Sequence, residues 1–491
     1  MMLSTAKSRI KLRRLLPAFF IGILSIVAVA TSLLYPGAWD DAYISFVYVK
    51  NCVAGNGLTY NGTVVQGYTN PLWVLLLVPF AYIGFDIPGI AIALGCLFGS
   101  LSLILVYSIG RRFGLSRWWA LLPVVLLSLQ IDFAYYLGKG LETSLFAFLF
   151  TLLFGVAVLA GQKSSQAILL GVVGGFIALC RTEGIILALG ACLLLAVRTR
   201  WPGGVIAAGI VFMMAAPWFA WAHAFYGAWL PNPIFAKVPG ISIVQAKTGL
   251  RYLFPLSWSG ATIASIHILL LLAMIFVRDR RIRCLALLML IWSIFIVTVG
   301  GDHIVGLRFL VPALPLIFLI MTLFARQFNS RLARILILLV PIMMLATRWS
   351  DSGRRSQAAK NTEARRLWIE VGSWFRENAS PDSIIAVNPA GIIPYYSELT
   401  TVDMLGLNDF HIAHHGKKDL SLRAGHQSGD GAYVLSRQPD YVMFGAKGGL
   451  KPTSHISEKE IYKDPSFRSL YKPMTIALPD GETVIIYRRS E

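Results

Sequence analysis

Long apolar stretches alternate with short polar connectors from Leu15 to Trp349. Set against the roughly 20 apolar residues that cross a bilayer as a helix, they predict eleven spans, at 15–34, 88–110, 118–137, 143–160, 166–180, 184–198, 203–224, 258–277, 284–300, 308–325 and 332–349. The pair 166–180 and 184–198 is short. It also reads as a broken or re-entrant element around Arg181–Gly184, which is tolerated where irregular backbone lines a protein cavity. Pro71 to Gly84 is apolar but too short to span, and reads as an interfacial or re-entrant helix. The pattern changes at residue 350. Residues 350–491 are polar, with short β-rich runs such as Ser383-Ile384-Ile385-Ala386-Val387 and Tyr441-Val442-Met443-Phe444. Leu367, Ile369, Val371 and Trp374 mark a helix between Ala364 and Asn378. The expectation is a polytopic α-helical membrane domain over 1–349 and a soluble α/β domain over 350–491.

Composition agrees with the pattern. The 491 residues are 56% hydrophobic and only 14% charged, outside the range of soluble domains. The formal charge of +19 resembles a nucleic-acid signal. However, its Lys and Arg sit mostly in short loops between spans, where they orient helices, and no basic-aromatic patch accompanies them. That bias puts the N-terminus in the cytoplasm and the C-terminal domain outside. With this orientation the inner loops hold one acid, Asp279, while Asp40, Asp41, Asp86, Asp132, Glu142, Glu183 and Asp302 all fall outside. Lys7 to Arg14 followed by Leu15–Leu34 and Ala28-Val29-Ala30 has some features of a signal peptide, but the run is long enough to span. Five cysteines without CxxC or Cys/His spacing suggest neither a disulfide framework nor a zinc site.

The candidate chemistry therefore collects at one face. Asp40-Asp41 directly follows the first span. Acids at a membrane edge are functional by default, and one carboxylate would serve as a general base. The bland alternative is a helix cap. Lys139, Arg181, Lys237 and Arg308 run against the positive-inside bias, and a phosphate would explain them. Locally, Lys139 with Glu142 and Arg181 with Glu183 would instead simply neutralise each other. The turn-rich loop holding Tyr68 and Asn70 suits a carbohydrate, and Asn232, in the second long outer loop (226–257), is a further substrate-binding candidate. Asp302-His303 would bind substrate or metal, but two residues do not define a metal site. His411, His414 and His415 read as surface. No Walker A, G-x-G-x-x-G, G-x-S-x-G or H-E-x-x-H pattern occurs, which disfavours ATPase, nucleotide-cofactor and hydrolase readings.

The motifs also resemble a known family. Asp40-Asp41-Ala42-Tyr43-Ile44-Ser45-Phe46, Gly55-Asn56-Gly57-Leu58-Thr59-Tyr60-Asn61 and Gln66-Gly67-Tyr68-Thr69-Asn70-Pro71-Leu72-Trp73 resemble the first outer loop (35–87) of GT-C glycosyltransferases. The terminal arabinofuranosyltransferase (AftB-like) group is the nearest in pattern. Gly140-Leu141-Glu142-Thr143, Arg181-Thr182-Glu183-Gly184, Pro231-Asn232-Pro233, Gly300-Gly301-Asp302 and Asp403-Met404-Leu405-Gly406-Leu407-Asn408-Asp409 continue the likeness in order. Val47 and Thr182 depart from it, standing where Arg and Pro are common.

The resemblance implies an inverting transfer of a sugar, arabinofuranose in that group, from a polyprenyl-phosphate donor to a cell-envelope glycan or glycolipid acceptor at the outer face of a bacterial inner membrane. Asp40 or Asp41 would be the base, with Asp40 ahead by analogy. Glu142 would hold the acceptor or a metal, and Arg181, Lys237 and Arg308 the phosphate. Some GT-C enzymes use a divalent cation and others do not; Asp40, Asp41 and Glu142 would be its ligands here. A lipid-linked-sugar flippase and a non-catalytic envelope-assembly scaffold are the competing readings. The flippase needs polar groups at midplane depth, and the scaffold tolerates loss of the Asp pair.

Overall fold

The computed structural model describes residues 2–161, 163–199, 202–237, 242–302, 306–420, 422, 425–479 and 481–490. All eleven apolar stretches lie on helices. Five helices are long and apolar enough to cross a membrane by length and composition: Leu16–Leu33, Ile87–Arg112, Pro202–Tyr226, Arg280–Thr298 and Arg331–Ser350. A sixth crossing is counted if Arg117–Ser128 and Ile131–Leu137, bent by 69° at their junction, form one broken span. Thr143–Leu159, Ser164–Cys180, Gly184–Arg198, Gly260–Phe276 and Val311–Arg326 are shorter apolar helices, as is Pro71–Tyr82 in the first long loop.

The helix starts are written locally. Asp86, Ser116, Ser257, Asp279 and Ser330 each accept a backbone N–H of the first turn, which satisfies a donor the helix itself leaves unpaired. Close packing is supplied by glycine. A Cβ on Gly171 or Gly204 would press on the backbone of Ala207 and of Cys192, respectively, so small residues let the three neighbouring helices approach. The 69° bend is held by a buried ion pair. Arg348, near the end of Arg331–Ser350, donates from Nε to Asp132 Oδ2 at 2.6 Å and from Nη2 to Asp132 Oδ1 at 2.7 Å.

The last apolar helix ends at Ser350 and the long helix Ser352–Asn378 begins the second domain. Its strands are β1 (Ile384–Val387), β2 (Thr400–Asp403), β3 (Lys417–Lys418), β4 (Ser428–Gly429), β5 (Tyr441–Val442), β6 (Tyr471–Ala477) and β7 (Thr483–Arg489). The main sheet runs β2-β1-β5-β7-β6. β1 is parallel to β2 and β5, and β7 is antiparallel to β5 and β6. Period-2 alternation divides β1 between two cores: Ile385 and Val387 pack with Leu367, Val371 and Phe375 of the long helix, while Ala386 packs with Val402, Ile412 and Phe444 on the other face.

This domain docks on the first and second long loops. Tyr60 Oη donates to Ala390 O (2.6 Å) and Asn61 Nδ2 to Pro394 O (2.9 Å). Asn232 Nδ2 donates to Gly406 O (2.8 Å) and Asp409 O (3.0 Å). Gly67 has no room for a side chain, because a Cβ there would overlap Asn408 Oδ1 and crowd Tyr48 Oη. Only glycine lets the domain approach this loop so closely.

Candidate active site

Under the docked domain lies an open cavity of about 170 Å³. Asp41 enters it from the first turn of helix Asp40–Val53, and Ser45 lies one turn on along the same face. Tyr68 and Asn70 come from the loop before Pro71–Tyr82, and Glu142 from the position before Thr143–Leu159. Arg181 and Glu183 come from the three-residue break between Ser164–Cys180 and Gly184–Thr199. Lys237, Asp302 and Arg308 complete the polar wall.

Glu142 is the hub of this wall. Its Oε1 accepts from Arg181 Nη1 (2.6 Å) and Arg308 Nη2 (3.2 Å), and its Oε2 from Asn70 Nδ2 (2.8 Å). Burial alone would push this carboxyl up, but Arg308, Arg181 and the Asn70 amide hold it below the ordinary carboxylate range. It is thus a permanent anion that fixes two guanidiniums. Arg181 also donates from Nε to Glu183 Oε1 (2.6 Å) and stacks near Phe309, 5.2 Å from the ring centre. Asn70 is oriented in turn by Ser45 Oγ, which donates to its Oδ1 (3.1 Å).

Asp41 is placed differently. Its Oδ2 lies 3.7 Å from Lys237 Nζ and 3.8 Å from Arg308 Nη1, longer than a direct hydrogen bond. Arg308 also reaches Asp302 Oδ2 (3.4 Å), and its buried Nε has no hydrogen-bond acceptor. The cavity therefore sets the Asp41 carboxylate between two cations, one of which keeps a donor without an acceptor. That arrangement suits an incoming anionic group that takes over the cations and frees the carboxylate.

Three residues expected at the site stand elsewhere. Asp40 turns away from the cavity, its Oδ1 accepting from the Ile392 N–H of the second domain (2.7 Å). Protein surrounds this carboxyl although part of its surface is accessible, and burial pushes its pKa up to about 7. Such a value suits a general base, but geometry comes before pKa, and the group with the base-like pKa does not face the cavity. Lys139 Nζ donates to the carbonyls of Tyr35 and Gly37 and stands 4.4 Å over the Tyr135 ring. Asn232 is spent on the second domain. His303 lies outside the described residues. Val47, which departs from the pattern of the resemblance, is packed in the apolar core.

Leu407 of the second domain, Phe309 and Ser45 also line the cavity; Leu407 and Ser45 stand within the motifs that carry the resemblance and Phe309 beside Arg308, but the sequence marks none of them for the site. A divalent cation does not fit this donor set. Among the described residues no group of three or more His, Cys, Asp or Glu stands close enough to hold one. Glu142 has both oxygens committed to Arg181, Arg308 and Asn70, and Asp40 faces the other way.

The chain superposes on ArnT from Cupriavidus metallidurans bound to undecaprenyl phosphate, with a TM-score of 0.56 and 15% identity over 78% of this chain and 85% of that one. The oligosaccharyltransferase of Archaeoglobus fulgidus in the apo form gives 0.54 and 12% over 98% of this chain and 75% of that one. The fold is thus that of the GT-C membrane glycosyltransferases: a polytopic helical domain with a C-terminal sheet-containing domain. Residues 354–487 match a family model described as Domain of unknown function (DUF8728). No curated protein matches the chain.

Proposed function

We propose that this protein is an inverting glycosyltransferase that moves a sugar from a polyprenyl-phosphate donor to a cell-envelope glycan or glycolipid on the outer face of a bacterial inner membrane. The observation that carries the reading is the placement of Asp41 within 4 Å of Lys237 and Arg308, in a cavity between apolar helices and a docked soluble domain. The acceptor hydroxyl oxygen attacks the anomeric carbon while its proton passes to Asp41. The bond from that carbon to the phosphate oxygen breaks, and the lipid phosphate leaves with the electron pair. Lys237 and Arg308, drawn off Asp41 by the phosphate, stabilise the charge that develops on it. Glu142 takes no proton; it positions Arg181 and Arg308. Asp40 acts as a positioning residue that ties the base-bearing helix to the second domain. Undecaprenyl phosphate bound to the C. metallidurans ArnT supports the donor class. The resemblance of the first loop to AftB-like enzymes supports arabinofuranose as the sugar.

The test is transfer by purified protein supplied with a panel of polyprenyl-phosphate sugars and an envelope-glycan acceptor extract. Asp41→Asn is expected to lose transfer by about 10²–10⁴-fold, the usual worth of a general base, while retaining donor binding. Asp40→Asn keeps the hydrogen bond to Ile392 and retains most activity. Full transfer by Asp41→Asn would overturn the assignment.

A further inference from the structure

A second polar cavity lies on the other side of the Asp pair. Pro36, Gly37 and Trp39, which follow the first span, face Lys139 and the helix Ser352–Asn378 across a space of about 30 Å³. About 10–15 Å³ on this measure holds one water, so the space takes a small group of a few heavy atoms.

Buried donors outnumber acceptors in its lining. Trp39 Nε1, Asn361 Nδ2 and Arg365 Nε are buried there without a hydrogen-bond acceptor. Buried donors are rarely left so, and the Trp and Arg groups can only donate. Lys139, 4% exposed, adds an ammonium. The Arg365 guanidinium lies against Gly37, where a Cβ would overlap it, so the turn after the first span is shaped around this side chain. The carboxylate lining the space, Asp40, has Oδ1 engaged by Ile392. Water would satisfy the N–H groups but leave the Arg365 guanidinium at a buried junction beside Lys139, whose pKa burial and that guanidinium lower to about 7. An acceptor-rich anion answers both, and a guanidinium with a nearby ammonium matches phosphate oxygens.

We propose that this cavity is a second anion site, separate from the Asp41 cavity, which holds a phosphate group between the end of the first span and the second domain. The phosphate comes from a phospholipid headgroup or from free phosphate, and it clamps the domain to the membrane helices. The proposal does not depend on the transfer reaction.

Full-length protein stripped of lipid in detergent would be assayed for radiolabelled orthophosphate by equilibrium dialysis, and for added phosphatidylglycerol by native mass spectrometry. The wild type is expected to bind one of these probes. Arg365→Gln and Asn361→Leu each weaken that binding roughly tenfold, the worth of one hydrogen bond to a charged group. Lys472→Gln, on an exposed position of β6 away from both cavities, leaves it intact, and Arg365→Lys restores part of it. Retention of orthophosphate assigns the site to free phosphate, and retention of phosphatidylglycerol alone assigns it to a headgroup. Wild-type binding by both Arg365→Gln and Asn361→Leu, or no binding of either probe by the wild type, overturns the proposal.

Discussion

Asp40 and Asp41 are neighbours in the chain and strangers in space. Successive residues on a helix do not share a face, so the first turn of Asp40–Val53 sends one carboxylate to the domain junction and the other to the cavity. Their environments then set their chemistry. Asp40, raised from 3.8 to about 7 by burial, favours its protonated form when folded. Its contribution to stability is therefore fully present below pH 3.8 and is lost as pH rises through 7. Asp403, raised by burial to about 6, acts in the same direction but is spent at lower pH. Thermal unfolding midpoints should thus fall between pH 6 and 7 in the wild type, and fall less in Asp40→Asn. Equal slopes in the two proteins would show that Asp40 is solvated in the folded state.

At the scale of elements, breaks in apolar helices supply the functional groups. The interruption at Arg181-Thr182-Glu183 releases a guanidinium into the cavity, and the bend between Arg117–Ser128 and Ile131–Leu137 frees Asp132 to grip Arg348. Both partners of the second pair are buried. Removing one leaves an uncompensated buried charge, at a cost of about 3–5 kcal/mol, whereas replacing both by apolar groups is often near neutral. Arg348→Leu should therefore lower the unfolding midpoint strongly, and adding Asp132→Leu should recover much of the loss. If the double variant is no more stable than Arg348→Leu alone, the pair holds the bend by more than mutual neutralisation.

The whole molecule is needed to close the site. The second domain contributes Leu407 to the cavity wall, and its Gly406 and Asp409 carbonyls hold Asn232 at the start of the short helix that ends in Lys237. A chain ending at Ser350 should retain the membrane helices and Asp41, yet lose transfer because Lys237 is no longer positioned. Donor binding, measured separately, should weaken with it. Wild-type transfer by the truncated chain would confine the domain to a role outside the reaction.

The apolar runs and the change of pattern at residue 350 were legible in the sequence, because burial in lipid or core constrains residue type over a whole segment. So was the gathering of Tyr68, Asn70, Glu142, Arg181, Glu183, Lys237, Asp302 and Arg308 at one end of the helices, since acids and cations are costly anywhere deeper. Which of two adjacent aspartates faces the cavity was not legible, nor that Lys139 and Asn232 serve the junction, nor that Leu407 reaches the site from the far end of the chain. Those outcomes depend on side-chain direction and on contacts between segments hundreds of residues apart, and only the packing of the second domain against the first loop decides them.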